Sequence, residues 1–120
     1  MFQGDFYQIT SGPDLLGQEH SFRIRLNEDH EIFKAHFPGQ PITPGVVQLE
    51  MVKELTGIVL GSQVSLVSIH RCKYLNILDP RTFQEIFIKL QIQEIEGIIK
   101  VNATISAGET IFLKLSSKYR

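Results

Sequence analysis

Three successive stretches in the C-terminal half alternate apolar with polar residues: Ile86, Ile88, Leu90 and Ile92, then Ile99, Val101, Ala103 and Ile105, then Ile111, Leu113 and Leu115. A period of two puts all the apolar members of a strand on one face. Glu96-Gly97 and Ala107-Gly108 separate the stretches as turns. The spacing therefore predicts consecutive antiparallel strands joined by tight hairpins, each burying one side. An earlier run from Ser21 to Leu26, with Phe22, Ile24 and Leu26 in alternation, predicts another strand. A sheet with one apolar face needs a cover.

The cover lies in the middle of the chain. Thr43-Pro44-Gly45 opens a stretch that runs to about Leu60, with Thr43 as expected N-cap and Pro44 in the first helical position, where its missing N–H costs nothing. On a helix, Val46, Val47, Leu49, Met51, Val52, Leu55, Ile58 and Val59 cover most of the circumference, which leaves Gln48, Lys53, Glu54 and Thr56 as a polar strip. The expected fold is α+β: a curved antiparallel sheet wrapped around one long central helix. With 120 residues, no internal repeat and no linker-like change of composition, residues 1–120 are expected to form a single domain.

Composition narrows the partners. Twelve Lys and Arg stand against thirteen Asp and Glu, so no overall field attracts nucleic acid or an anionic membrane. No signal-like start and no run long enough for a membrane span is present, and a cytoplasmic setting is expected. Cys72 is the sole cysteine, which excludes an internal disulfide and a multi-cysteine metal site. His20, His30, His36 and His70 lack paired metal-ligand spacing, so no metal is expected. With no phosphate loop or dinucleotide fingerprint, no other cofactor is expected either.

Chemistry concentrates in His36 to Glu50, HFPGQPITPGVVQLE. Pro38, Pro41 and Pro44 each fix their own φ and restrict the residue before them, which predicts a rigid loop. That loop joins a histidine, a helix N-terminus and a carboxylate on an otherwise apolar helix. Desolvation there would favour the proton-bearing form of Glu50 and suit it to donate. Each residue alone has a plainer reading: a loop histidine on the surface, a helix glutamate on a solvated strip or paired with Lys53 three residues on. Their combination at a helix N-terminus points to acid-base chemistry.

The segment resembles the hot-dog-fold 3-hydroxyacyl-[acyl carrier protein] dehydratases of bacterial fatty-acid synthesis, non-isomerising type. That family's signature is a His-Phe-Pro, a further Pro, a Pro-Gly-Val and a helix glutamate fourteen residues after the histidine; this chain supplies His36, Phe37, Pro38, Pro41, Pro44, Gly45, Val46 and Glu50. Ile69 to Pro80 (IHRCKYLNILDP) is similar to the family's basic, aromatic segment. The chain departs from the pattern at Ala35, where the family has Gly, and at Met51, Val52, Lys53 and Glu54, where the family has an Ala-rich helix ending in Gln. The related isomerising enzymes carry aspartate at the helix position, so Glu50 favours plain dehydration.

The resemblance implies a trans-2-enoyl thioester product, with His36 and Glu50 catalytic. His36 takes the C2 proton, Glu50 protonates the departing C3 hydroxyl, and the helix-start amides of Gly45 and Val46 bond the thioester oxygen. Phe37 and Pro44 join them as substrate-binding residues. It also implies a homodimer or higher multiple, each site taking histidine and glutamate from different subunits. An acyl carrier protein is the expected partner, docking on Lys34, Arg71, Lys73 and Arg81. The competing expectations are another hot-dog enzyme, a thioesterase or enoyl-CoA hydratase, and an inactive acyl-binding subunit.

Overall fold

The computed structural model describes residues 2–35, 39 and 41–120. His36, Phe37 and Pro38 lie outside the described residues, as does the expected rigidity of the loop they begin. Six strands and two helices follow in the order β1 (Tyr7–Leu16), β2 (Glu19–Leu26), α1 (Glu31–Ala35), α2 (Gly45–Leu60), β3 (Leu66–Tyr74), β4 (Glu85–Ile95), β5 (Ile98–Ala107) and β6 (Thr110–Tyr119). The strands form one antiparallel sheet in the order β1-β2-β4-β5-β6-β3.

The alternation in the sequence sets the register. Ile88 of β4 stands opposite Phe22 of β2 and Ile105 of β5, and Leu90 opposite Ala103, itself opposite Leu115 of β6. These inward residues are buried and share one core with Val47, Met51, Val52 and Leu55 of α2. Burial of each large side chain stabilises the fold by roughly 1.5–3 kcal/mol. The β4–β5 hairpin turns at Glu96 and Gly97, both with positive φ (51° and 81°), the mirror-image turn whose twist matches its strands. The β5–β6 turn falls at Gly108-Glu109, one residue later than expected.

Helix α2 begins differently from the expectation. Its N-cap is Pro44, in extended conformation and without a side-chain cap bond. The Pro44 carbonyl accepts from the Val47 and Gln48 amides. Thr43 is buried instead, held by its own amide to the Leu78 carbonyl at 2.9 Å. Gly61, at φ 74°, ends the helix in the left-handed conformation.

The expected polar strip is also corrected. Gln48 and Thr56 are buried; Thr56 satisfies its hydroxyl on the Val52 carbonyl, and Gln48 donates to the Thr43 carbonyl. Val46 and Ile58 are exposed. The buried stripe runs Val47, Gln48, Met51, Val52, Leu55, Thr56, a helical spacing that includes the two polar residues because they can bond the backbone.

Two strands escaped the sequence reading. β1 is irregular, with register shifts at Ser11 and Asp14, and its exposed residues lack alternation. β3 forms the opposite edge, and every residue in it except Cys72 is exposed, so period and burial say nothing there.

Candidate active site

Glu50 lies on α2 one turn beyond Val46, about 6 Å along the axis at the usual helical rise. Both line a cavity of about 130 Å³ between the helix and the inner faces of β3 and β6, together with Lys53, Leu66, Ile69, Ser117 and Tyr119. Glu50, Lys53 and Glu54 also line a second, more open groove that continues along the C-terminal half of α2 to Ser65. Glu50 therefore stands where two depressions meet.

Its surroundings differ from the apolar burial expected. The side chain is 38 % exposed and its carboxylate lies 3.6 Å from the Lys53 ammonium. The plainer expectation, a half-solvated glutamate paired three residues on, describes Glu50 in the single chain. Its charge still reaches inward: burial first, and the Glu50 carboxylate in addition, raise the Tyr119 hydroxyl above the usual phenol range, against a hydrogen bond from Ser117.

Glu54, four residues on, has a different task. Its carboxylate accepts from the amides of Phe2 at 2.9 Å and Gln3 at 2.8 Å and from the Tyr7 hydroxyl at 3.2 Å. It fastens the start of the chain across the helix. Lys53 and Glu54, two of the departures from the family pattern, thus serve as counter-charge to Glu50 and as anchor for residues 2–7.

The first two helical amides, Gly45 and Val46, donate to no backbone carbonyl among the described residues. They are available to an oxygen lying at the helix start. The reason for glycine at 45 is more local than expected. A Cβ there would fall 2.6 Å from the Tyr74 hydroxyl, so Tyr74 occupies the room that the missing side chain leaves. Gly45, Gln48, Tyr74, Leu75 and Ile77 line a third groove along this end of the helix.

The four expected docking cations fall on three elements. Lys34 is exposed on α1, and Arg71 and Lys73 are exposed on β3. The last two share the outward face of the sheet, opposite Ser116 and Lys114 of β6. Arg81, in the β3–β4 connection, is paired with Asp79 at 3.0 Å, which neutralises its charge locally. His36 and Phe37 lie outside the described residues, so the meeting of histidine and glutamate is not part of this geometry. Ser117 and Tyr119 were missed by the sequence reading. Their signal is the alternation of β6 itself: after Ile111, Leu113 and Leu115, the inward positions turn polar.

The profile of the ApeI dehydratase family matches residues 14–115. The chain is 25% identical over 95 residues to the 3-hydroxyacyl-[acyl-carrier-protein] dehydratase FabZ of Levilactobacillus brevis, covering 73% of this chain and 62% of that one. To the FabZ of a Ruegeria species it is 34% identical over 61 residues, 51% of this chain and 37% of that one. The chain thus spans less than two thirds of the length of these relatives. Among solved structures, the dehydratase heterocomplex ApeI:P from Xenorhabdus doucetiae superposes with a TM-score of 0.74 at 20% identity, covering 93% of this chain and 96% of that one. The (R)-hydratase from A. caviae gives 0.66 at 11% identity, with 89% and 96% covered. Both share the hot-dog fold, a curved antiparallel sheet around a helix. The chain belongs to the ApeI-like dehydratase family.

Proposed function

We propose that this protein removes water from a 3-hydroxyacyl thioester carried on an acyl carrier protein, giving the trans-2-enoyl thioester in fatty-acid or related lipid synthesis. The observation that carries this reading is Glu50: a carboxylate opening on two grooves, one turn along the helix from the amides of Gly45 and Val46, which donate to no carbonyl among the described residues. Amides at one end and a carboxylate at the other match what the elimination asks for. The thioester oxygen gains negative charge as the C2 proton leaves, and the helix start stabilises it. Glu50 then meets the C3 hydroxyl, and His36 serves as base.

The second half of the site comes from another copy. β3 is an edge strand with Leu66, Val67 and Ile69 exposed, and Val46, Leu75 and Ile77 exposed nearby. An exposed apolar edge is a template for pairing. Pairing two β3 edges would cover this surface, dry the surroundings of Glu50, and bring the histidine of one copy toward the glutamate of the other. Arg71 and Lys73, side by side on β3, and Lys34 on α1 would face an acidic carrier protein. Among the described residues no helix is long and apolar enough to cross a membrane, which is compatible with action in the cytoplasm.

The deciding experiment supplies purified protein with a 3-hydroxyacyl carrier-protein substrate. A dehydratase raises enoyl-thioester absorbance and leaves the thiol covered. Thiol release would identify a thioesterase instead, and a folded protein that changes neither signal would be an acyl-binding subunit.

A further inference from the structure

Ser117 and Tyr119 are adjacent inward positions of β6, almost fully buried at 1% and 2% exposure. The Ser117 hydroxyl donates to the Tyr119 oxygen at 3.0 Å. Two hydroxyls that share one bond leave one O–H without an acceptor among the described residues. A buried donor left in that condition costs stability. Its neighbours Leu113 and Leu115 show that the same face of β6 is otherwise apolar. The pair has no packing reason to be polar.

The two hydroxyls line the cavity of about 130 Å³ that also holds Glu50 and Lys53. Its other walls include the side chains of Leu66 and Ile69. That volume suits roughly four water molecules, and a bound water needs two to four polar partners. Carboxylate, ammonium and two hydroxyls supply them. Glu50 and Lys53 also line the open groove that runs toward Ser65, whereas Ser117 and Tyr119 line only the smaller cavity.

We infer that this cavity receives the water expelled from C3, with the Ser117–Tyr119 pair donating a hydrogen bond to the departing oxygen. The inference rests on the dehydratase reading above and deepens it. In the step, the C2–H electron pair becomes the C2=C3 bond and the base takes the proton. The C3–O bond breaks, and the oxygen leaves with its own hydrogen and one proton from Glu50, as one water. The proton held by the base later restores Glu50. Tyr119 gives up no proton. It only bonds the oxygen as charge builds there, and its raised affinity for its proton, from burial first, keeps it a donor. By microscopic reversibility the same pair holds the water that adds in the hydration direction.

Tyr119→Phe removes the hydroxyl and keeps the ring. With a 3-hydroxyacyl thioester of N-acetylcysteamine, this variant is expected to lose about tenfold in kcat at unchanged KM, the scale of one hydrogen bond made in the transition state. The same loss is expected for hydration of the enoyl thioester. Ser117→Ala, which leaves the phenol in place without its partner, is expected to lose about threefold. Wild-type kcat in folded Tyr119→Phe overturns the inference, and so does a loss confined to KM. If Tyr119→Phe does not fold, Ser117→Ala decides by the same measure. A wild-type protein inactive in both directions overturns the dehydratase reading and this one together. An inactive Glu50→Gln beside an unimpaired Tyr119→Phe overturns the water site alone.

Discussion

The ammonium of Lys53 stands 3.6 Å from the carboxylate of Glu50, one helical turn away on a half-exposed face. Pairs of this kind contribute about 0.3–0.5 kcal/mol to stability. Lys53→Met should therefore shift the denaturant midpoint barely at all. Glu50→Gln should be equally silent in the melt while cutting turnover by roughly a hundredfold or more. His36→Ala should do the same, and the double variant should lose much less than the product of the single losses, because both groups serve one transition state. A folded Glu50→Gln protein with wild-type turnover would remove Glu50 from the chemistry.

Glu54 should behave in the opposite way. Glu54→Ala leaves the amides of Phe2 and Gln3 and the buried Tyr7 hydroxyl without their acceptor, a loss of about 1–3 kcal/mol. Denaturant unfolding should show it, with accelerated amide exchange at residues 2–7 as the local signature. Unchanged exchange there would mean that the carboxylate does not hold the segment.

Stability should fall on the alkaline side. Tyr7, Tyr74 and Tyr119 all hold their protons above the ordinary value near 10, each chiefly through burial. At Tyr7 the charge of Glu54 and its hydrogen bond add to the effect, and at Tyr74 the Cys72 thiol does. A raised folded-state value means that the unfolded chain gives up these protons first. The stabilising contribution is complete below pH 10 and declines as pH rises above it. Melting temperature against pH should be level as it approaches about 10 and then drop. Phenolate absorbance appearing before unfolding would contradict this.

Ile69→Glu tests the edge. Ile69 is an exposed apolar residue on β3 that lines the cavity beside Glu50. A charge at that position should block pairing of two β3 edges at little cost to the fold of the single chain. Light scattering at micromolar concentration should give twice the chain mass, or a multiple, for wild type and the single mass for the variant, with activity lost. A wild-type protein that is strictly monomeric and fully active would exclude a shared site.

Arg71 and Lys73 together form the part of the expected docking cluster that the fold keeps side by side. Their double alanine variant should weaken use of carrier-protein substrates more than of soluble thioesters, with a difference that shrinks at high salt. Arg81→Ala should add little, since Asp79 already holds that charge.

Periodicity revealed the elements that bury one clear face. β2, β4, β5 and β6 alternate, and the structure keeps their inward residues in register. The same reasoning placed α2 within a residue of its observed start. It failed where burial does not follow polarity. Gln48 and Thr56 enter the core because each finds a backbone carbonyl, and Val46 and Ile58 face outward. β3 was invisible because an edge strand exposed on both faces has no buried period to read. Within the site, the motif singled out Glu50, Gly45 and Val46, whereas Ser117 and Tyr119 could be found only once β6 was laid against the helix.

The strand order has a consequence for how the molecule is made. β3 follows α2 directly in the chain, yet it pairs only with β6, whose residues come last among the strands. During synthesis, the apolar edge of β3 has no neighbour within its own chain until β6 has emerged. Such distant pairings form slowly, and an uncovered edge invites the wrong strand in the meantime. The cleft around Glu50 is therefore expected to be among the last parts of the molecule to mature, and the choice of partner at β3 is postponed until the fold that presents it is complete.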